Sequence, residues 1–285
     1  MLNNLHFKQI RNKISFAGIL FLAFVTLDCS SNEAIKQLSA DERFALGMAA
    51  YKDEDYLAAI EEFKVVSLQY QGSRVADSAQ FYMAECRYKR EEYILAAFEY
   101  EVLIRNMYSS VFVPESRFKR ATCYYELSPN SYLDQNYSRK AIDEYQAFIE
   151  YHPTDTLVAV AEQRINELNS KLAKKDYENG LTYMYMEYYK AATYYFDVVL
   201  DKYHDTPYAE PAMLKKAQAL TNRKKYIEAK ETVDKFYLKY PSSTLIAEAQ
   251  QLQTEIESKR IEDEQKQKSI QLKQNEKSKL PQAGG

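Results

Sequence analysis

Small, aromatic and apolar residues recur at fixed intervals along stretches of this chain that are otherwise polar. Each of four stretches carries a small residue, then a tyrosine, an alanine and a large apolar residue at intervals of nine, three and four positions. The four sets are Gly47, Tyr56, Ala59 and Phe63; Ala84, Tyr93, Ala96 and Tyr100; Gly180, Tyr189, Ala192 and Phe196; and Ala217, Tyr226, Ala229 and Val233. Small residues at these places let two helices approach closely, while the aromatic rings fill the turn and the groove between them. The pattern therefore predicts helical pairs.

The pairs repeat with the period of a known architecture. Ala59 and Ala96 are 37 residues apart, as are Ala192 and Ala229. This period is slightly above the roughly 34 residues of a tetratricopeptide repeat. A fifth unit has the same helices but a turn about eight residues longer, and its marker residues are Ala121, Tyr125, Ala141 and Tyr145. We expect an all-α tetratricopeptide-repeat solenoid of about five helical pairs.

The beginning of the chain has the composition of an export signal. Lys8, Arg11 and Lys13 precede an apolar run over residues 14–27, and no acidic residue occurs among residues 1–14. A basic segment followed by an apolar stretch of this length, too short for a permanent membrane span, is typical of such a signal. We therefore expect the protein to leave the cytoplasm.

Cys29 follows the apolar run directly and resembles the lipid-attachment cysteine of bacterial lipoproteins. Asp28 departs from that pattern, because lipoprotein signals usually have Gly, Ala or Ser before the cysteine. An ordinary cleaved signal, or a retained N-terminal anchor with Cys29 incidental, is the alternative interpretation. Ser30 does not resemble the aspartate that retains a lipoprotein at the inner membrane. The sequence predicts lipid attachment at Cys29 on the periplasmic face of the outer membrane of a Gram-negative cell.

These features divide the chain into five segments. We expect a lipoprotein signal peptide, a lipid-anchored linker, repeats one to three, repeats four and five, and a charged tail. Their predicted bounds are 1–28, 29–39, 40–170, 171–258 and 259–285. The tail is rich in Lys, Glu and Gln, and we expect it to begin as a continuation of the last helix and to end disordered at residues 281–285.

Composition and charge narrow the functional class. The chain has 26 Tyr and 13 Phe but no Trp and only 6 Gly. This composition suits a helical solenoid whose grooves are lined with tyrosine. The formal net charge is −3, from 38 basic and 41 acidic residues. Because such a balance gives no field that attracts nucleic acid, we expect no nucleic-acid partner.

Side chains suited to catalysis or metal binding are few and scattered. His6 lies in the export signal, and His152 and His204 lie in equivalent turns between repeats. Cys86 and Cys123 occupy equivalent positions of adjacent repeats, where we expect buried free thiols, a disulfide being the alternative. No Gly-rich phosphate loop, G-x-S-x-G or H-E-x-x-H motif occurs. The sequence predicts no enzyme, no cofactor and no metal site.

The turns that join one repeat to the next share a short motif. It begins with tyrosine and ends with serine or threonine, at residues 70–73, 151–154, 203–206 and 240–243. Serine and threonine are common N-cap residues. We therefore expect the last residue of each motif to cap the following helix.

Tyrosines are concentrated in the fourth repeat, beyond what one helical pair can bury on a single face. The repeat pattern assigns three neighbouring aromatic residues to the core: Tyr183, Tyr189 and Phe196. Tyr185, Tyr188 and Tyr194 have no fixed place in the pattern. Because tyrosine offers a large contact area and a hydrogen bond, these three are the candidate partner-binding residues. The alternative is that they only cover neighbouring helices.

The signal, the cysteine and the five repeats together resemble the BamD family, the outer-membrane lipoproteins of the β-barrel assembly machinery. The resemblance covers roughly residues 29–258. Its specific parts are the first repeat starting at Gly47 some 18 residues after Cys29, the long third turn through 128–130 and 134–136, the repeat exit at 145–153, and the long helix at 158–182.

The resemblance implies a periplasmic scaffold, without catalytic residues, that aids the folding and insertion of outer-membrane proteins. It implies that the N-terminal repeats, over residues 51–145, meet unfolded outer-membrane proteins. It also implies that the C-terminal repeats, over residues 183–240, dock on the periplasmic domains of a BamA-like barrel subunit. A different exported tetratricopeptide lipoprotein, used in pilus assembly or envelope tethering, is the alternative. The chain is short for a glycan-binding protein of this kind, and an enzyme would need a site that the sequence does not supply.

Overall fold

Eleven helices occupy most of residues 37–279, the part of the chain that the computed structural model describes. Their bounds are α1 Ala40–Lys52, α2 Tyr56–Gln69, α3 Ala76–Lys89, α4 Tyr93–Asn106, α5 Val113–Glu126, α6 Asn136–Tyr151, α7 Val158–Tyr185, α8 Tyr189–Lys202, α9 Ala209–Asn222, α10 Tyr226–Lys239 and α11 Ile246–Lys279. No strand occurs among these residues. The predicted all-α tetratricopeptide-repeat solenoid is confirmed. The predicted signal peptide, Cys29 and residues 280–285 lie outside the described residues.

Each pair is built on a close contact between the small residue of its first helix and the large residue of its second. A Cβ atom added to Gly47 would lie 2.6 Å from the ring of Phe63, and one added to Gly180 would lie 2.5 Å from the ring of Phe196. In the other pairs alanine replaces the glycine, and the matching residues share a core cluster: Ala84 with Tyr100, Ala121 with Tyr145, and Ala217 with Val233. The intervals in the sequence therefore mark the core.

A three-residue turn joins the two helices in four of the pairs. Its central residue has a positive φ of 59° to 62° at Glu54, Glu91, Glu187 and Lys224. In the first turn the carboxylate of Asp55 accepts a hydrogen bond from the backbone N–H of Ala58 at 3.1 Å and so caps α2. This satisfies one of the free N–H groups at the start of that helix.

The serine and threonine residues of the inter-repeat turns do not cap the following helices, so that prediction was wrong. α3, α7 and α9 begin three or four residues after the last residue of the motif. Their N-cap residues, which make no side-chain cap hydrogen bond, are Val75, Leu157 and Tyr208. The polar side chains hold the turn instead. Thr206 Oγ1 donates to the carbonyl of Tyr203 at 2.7 Å, and Ser243 Oγ accepts from the N–H of Leu245 at 3.0 Å. The chain therefore completes a turn before each helix starts.

The third pair and the helix after it depart from the regular repeat. α5 and α6 are joined by nine residues, 127–135, which confirms the predicted long turn. α7 has 28 residues and serves two pairs. Near its start Ala161 packs with Phe148 of the third pair, and farther along Ala173 packs with Phe196 of the fourth. This continuous helix joins the two halves of the solenoid.

The last helix covers the end of the array. Ala249, Leu252 and Ile256 of α11 are buried against α9 and α10. Beyond them the helix continues to Lys279, as a polar extension. Asp263, near the start of this extension, accepts hydrogen bonds from Lys224 Nζ at 2.9 Å and from the hydroxyl of Tyr226 at 2.7 Å.

Candidate partner-binding surfaces

The three candidate tyrosines lie around the turn of the fourth pair. Tyr185 ends α7, Tyr188 is the residue before α8, and Tyr194 lies in the first half of α8. Their exposed fractions are 91%, 60% and 63%, respectively. The three neighbours assigned to the core are buried or partly buried in one cluster: Phe196, Tyr183 and Tyr189. The candidate side chains are thus free to make contacts, and their role in binding stays a prediction.

Tyr188 and Tyr194 line one shallow depression, whereas Tyr185 lies outside its lining. The remaining lining residues are Glu187, Tyr189, Lys190, Ala191 and Arg223. Arg223 Nη1 donates a hydrogen bond to Thr193 Oγ1 at 3.1 Å, which fixes the guanidinium at the edge of the depression. Rings beside a fixed cation suit a partner that offers an apolar side chain next to a carboxylate.

The ring of Tyr194 is supported from behind. It meets Tyr195 edge-on at a centroid distance of 5.4 Å, and Tyr195 stacks on Tyr183 at 5.3 Å. Ring pairs at these distances are favourable contacts. Tyr194 is therefore presented on a packed base, which lowers the entropy that it would lose on binding.

A second row of tyrosines lies on the first three pairs and was not singled out from the sequence. Tyr51, Tyr88 and Tyr125 occur 37 residues apart, near the end of the first helix of their pairs. The ring of Tyr51 lies 5.3 Å from that of Tyr82, and the charged groups of Lys119 and Arg164 lie 5.4 Å and 4.3 Å from the rings of Tyr88 and Tyr125. Each tyrosine thus contacts the first helix of the next pair. The common spacing is the sequence signal that marks this row.

The hydroxyl groups of this row stay protonated well above neutral pH. Burial, with Glu85 second, raises the pKa of Tyr51 to about 12. Burial also raises the pKa of Tyr125, whose hydroxyl donates to Glu167 Oε2 at 2.6 Å and accepts from Arg164 Nη1 at 2.6 Å. These hydroxyl groups are uncharged, and the charged side chains beside them are paired. The row can therefore offer hydrogen bonds to a partner without a net electrostatic field.

A buried charged network joins the second and third pairs. Glu85 of α3 is 6% exposed, accepts a hydrogen bond from the hydroxyl of Tyr100, and is paired with Lys119 Nζ of α5 at 3.1 Å. Burial and then the charge of Glu85 raise the pKa of Tyr100. The network fixes the relative position of two repeats, because either charge would be costly to bury alone.

The long turn of the third pair is an ordered surface feature. The fully buried Gln135 donates through Nε2 to the carbonyls of Asn130 at 2.8 Å and Leu133 at 3.0 Å. Lys175 Nζ of α7 donates to the carbonyl of Leu133 at 2.6 Å. The turn projects Tyr132, which is 71% exposed. This projection is specific to the third pair.

The histidines and the described cysteines have structural surroundings. His152 ends α6, and burial followed by the charge of Arg117 lowers its pKa. His204 lies in a turn beside Asp205 at 3.2 Å. Cys86 and Cys123 are buried free thiols, which confirms that prediction, and burial raises the pKa of each to about 12. A thiol with so high a pKa is a poor nucleophile.

Within residues 37–279 no cluster of histidine, cysteine and carboxylate side chains has the makeup of a metal site. None of the helices in this part of the chain combines the length and the apolar character needed to cross a bilayer.

The solved structures similar to this chain are tetratricopeptide-repeat proteins. One from Parabacteroides merdae is 15% identical, with 77% of this chain and 74% of that one aligned at a TM-score of 0.34. One from Bacteroides fragilis is 11% identical, covering 78% and 99% of the two chains at a TM-score of 0.43. The TPR2AB domain of yeast Sti1, in complex with pHSP90, is 18% identical, covering 76% and 98% at a TM-score of 0.37. Resemblance at this level does not extend to function.

No curated protein is significantly similar to the chain. A family model does match it, under the description YfiO, outer membrane lipoprotein, over residues 36–233. The match runs from the residues just before α1 into α10, so it covers all five helical pairs but not α11. The chain therefore belongs to the YfiO family of outer membrane lipoproteins, to which the resemblance to BamD points.

Proposed function

We propose that the protein is a lipid-anchored scaffold of the outer-membrane β-barrel assembly complex and aids the folding and insertion of outer-membrane proteins. The observation that carries the proposal is the family match over all five pairs. The exposed tyrosines of the array agree with a binding role, because tyrosine is enriched at protein interfaces. The scaffold acts by binding and positioning, not by catalysis.

The first three pairs are the proposed contact for unfolded outer-membrane proteins. Barrel strands are extended segments with alternating apolar side chains, and a stacked array offers them a long surface. The row of Tyr51, Tyr88 and Tyr125 supplies rings and neutral hydroxyl groups along that surface. Contacts of this kind are weak individually and permit release.

The fourth and fifth pairs are the proposed dock for the periplasmic domains of a BamA-like barrel subunit. The surface around Tyr185, Tyr188 and Tyr194 lies here, with Arg223 fixed at its edge. α7 joins this half rigidly to the first three pairs. Substrate held on one half would thus be kept at a fixed distance from the barrel subunit.

The protein is proposed to be attached through a lipid on Cys29 and to face the periplasm. The family description, outer membrane lipoprotein, supports this assignment. Mass spectrometry of the purified mature protein measures it directly. A diacylglycerol-modified Cys29 at the N-terminus is expected, and an unmodified cysteine would contradict the anchor.

The function is tested by a mild-detergent pull-down from envelope membranes, followed by mass spectrometry. We expect recovery of a large β-barrel protein with periplasmic repeat domains. The variant carrying Tyr185→Ala, Tyr188→Ala and Tyr194→Ala should recover much less of it. Tyr108→Ala is the matched control, because Tyr108 is 82% exposed but lies between the second and third pairs.

Two outcomes would contradict the proposal. Recovery of a pilus or cell-wall component in place of the barrel protein would favour the other kind of exported scaffold. Equal recovery by the triple variant and the control would leave the barrel subunit as a partner but remove the tyrosine surface as its dock.

A further inference from the structure

The second helices of the first two pairs expose large apolar side chains on one side. These residues, called here the apolar outer face, are Leu57 and Leu68 of α2 and Ile94, Leu95 and Phe98 of α4, each between 47% and 62% exposed. Leu57 and Leu68 are eleven residues apart, about three helical turns, and therefore share one side of α2. Exposed apolar surface of this extent marks an interaction site.

The apolar character of these positions differs between pairs. Ile94, Leu95 and Phe98 align, through the alanine of the second helix, with charged residues in the third pair: Arg139, Lys140 and Asp143. The fifth pair has exposed apolar residues at the positions of Leu57 and Leu68, namely Ile227 and Leu238, but two glutamates, Glu228 and Glu231, lie between them. Core packing does not require these positions to be apolar, since other repeats fold with charges there.

Leu68 and Phe98 meet at a groove between α2 and α4, which is also lined by Val102 and by Met83 at its floor. Most other lining residues of the groove are polar, and the charges are balanced. Arg87 and Glu99 form an ion pair at 3.2 Å within the lining, and Lys64, which also lines the groove, lies one turn after the exposed Glu61. The exposed apolar side chains therefore border a polar groove that is close to neutral.

The chain enters the solenoid beside this face. The carbonyl of Leu38 accepts a hydrogen bond from the hydroxyl of Tyr70, just after α2, at 2.9 Å. Leu38 is nine positions after Cys29, and a fully extended segment of that length spans about 30 Å. If Cys29 carries a lipid, as proposed above, the end of the face next to Leu38 is held within about that distance of the membrane.

We infer that the apolar outer face lies on the lipid bilayer. The linker itself cannot cover the face, because its residues 30–36 contain one large apolar side chain, Ile35. A nearby bilayer offers apolar area of the required extent, and a neutral surface fits zwitterionic headgroups. Side chains that insert this way reach about 5–10 Å into the headgroup and acyl boundary.

The test uses tryptophan as a reporter, because the chain contains none. The full-length lipoprotein carrying Phe98→Trp is reconstituted in phosphatidylethanolamine and phosphatidylcholine vesicles whose acyl chains are brominated. Tyr194→Trp is the matched control, because Tyr194 is 63% exposed, Phe98 is 59% exposed, and the two occupy the same repeat position. Circular dichroism verifies that both variants fold.

Loss of most of the F98W emission, with little loss from Y194W, is the expected result, and it should persist at high salt because screening does not weaken apolar contact. Equal emission in brominated and ordinary vesicles would overturn the inference. A blue shift of F98W without quenching would also overturn it, since protein and not lipid would then cover the face. The modification of Cys29 and the partners recovered in the pull-down are measured separately. A failure of the proposed function can therefore be distinguished from a failure of the membrane inference.

Discussion

The size of a single residue decides how closely the helices of each pair approach. Gly47 and Gly180 face phenylalanine, whereas alanine takes the small position opposite Tyr100, Tyr145 and Val233. The glycine is thus required by the ring that faces it and not by backbone conformation, since neither Gly47 nor Gly180 has a positive φ.

Gly47→Ala is expected to destabilise the protein. Glycine to alanine within a helix normally gains up to about 1 kcal/mol, but the new Cβ would lie 2.6 Å from the ring of Phe63. Overpacking of this kind costs about 1–3 kcal/mol. Urea unfolding monitored by circular dichroism measures the change. Gly72→Ala, where nothing lies within 4 Å, should show no loss, and a stable G47A variant would mean that the ring moves freely.

Because of the two buried thiols, the free energy of unfolding should depend on pH in the alkaline range. Burial raises the pKa of Cys86 and Cys123 from 9.0 to about 12, so the folded state holds these protons more tightly than the unfolded state does. The free energy of unfolding therefore falls as the pH rises from about 9 toward 12. Tyrosine, with an unperturbed pKa of about 10, also begins to ionise between about pH 9 and 10, but this ionisation is common to both proteins, so the C86A/C123A variant should lose less stability than the wild type over that range. Equal slopes in urea titrations would contradict this.

At the scale of single elements, the long turn of the third pair is organised by one side chain. Gln135 gathers the carbonyls of Asn130 and Leu133, and its Oε1 accepts from Ser138 Oγ at 2.7 Å. The length of the turn was predictable, because Ala96 and Ala141 are 45 residues apart instead of 37. The contacts with Lys171 and Lys175 were not, since they come from a helix about 40 residues later in the chain.

Gln135→Ala is expected to loosen this turn. It removes the donor that links the carbonyls of Asn130 and Leu133, although these keep the bonds from the Leu133 N–H and from Lys175, and it removes the acceptor of Ser138 Oγ. Each lost hydrogen bond contributes about 0.5–1.5 kcal/mol. Hydrogen exchange and limited proteolysis over residues 127–135 should both become faster. Lys174→Ala is the matched control on α7, because Lys174 lies beside the turn but pairs with Glu178 of its own helix, at 3.8 Å. Unchanged exchange in Q135A would show that the lysines alone hold the turn.

At the scale of the whole molecule, stability comes from contacts between successive helices. Each repeat in such an array is stabilised mainly by contacts with the adjacent repeats. The final helix should therefore stabilise the pair on which it packs and have little effect on distant pairs. α11 buries Ala249, Leu252 and Ile256 there, and Asp263 accepts hydrogen bonds from Lys224 and Tyr226 of the fifth pair.

Truncation should therefore divide α11 into two parts. A chain ending after residue 265 keeps these contacts and is expected to unfold at the same temperature as the full chain. A chain ending after residue 245 exposes the core around Leu214 and Phe236 and should lose the fifth pair first. Hydrogen exchange of α9 and α10 measures this. Faster exchange of α9 and α10 in the chain that ends after residue 265 would mean that the polar extension of α11 also stabilises the array.

The surfaces were less predictable than the core, as the tyrosines illustrate. Tyr185, Tyr188 and Tyr194 were recognisable because the repeat pattern has no place for them, but only the tertiary structure shows Tyr188 and Tyr194 in one depression beside Arg223. Tyr51, Tyr88 and Tyr125 recur regularly in the sequence. Their contacts with the first helix of the next pair become visible only when the pairs are stacked.

The sequence by itself determined the helical pairs, their number and the residues at their closest approach. It could do so because those positions are related by short fixed intervals that recur in every repeat. The same assignment is therefore obtained independently from several repeats. Only the tertiary structure decided which exposed side chains form a common surface. Leu68 and Phe98 are 30 residues apart and line one groove because α2 and α4 both pack on α3, a relation that no local interval encodes.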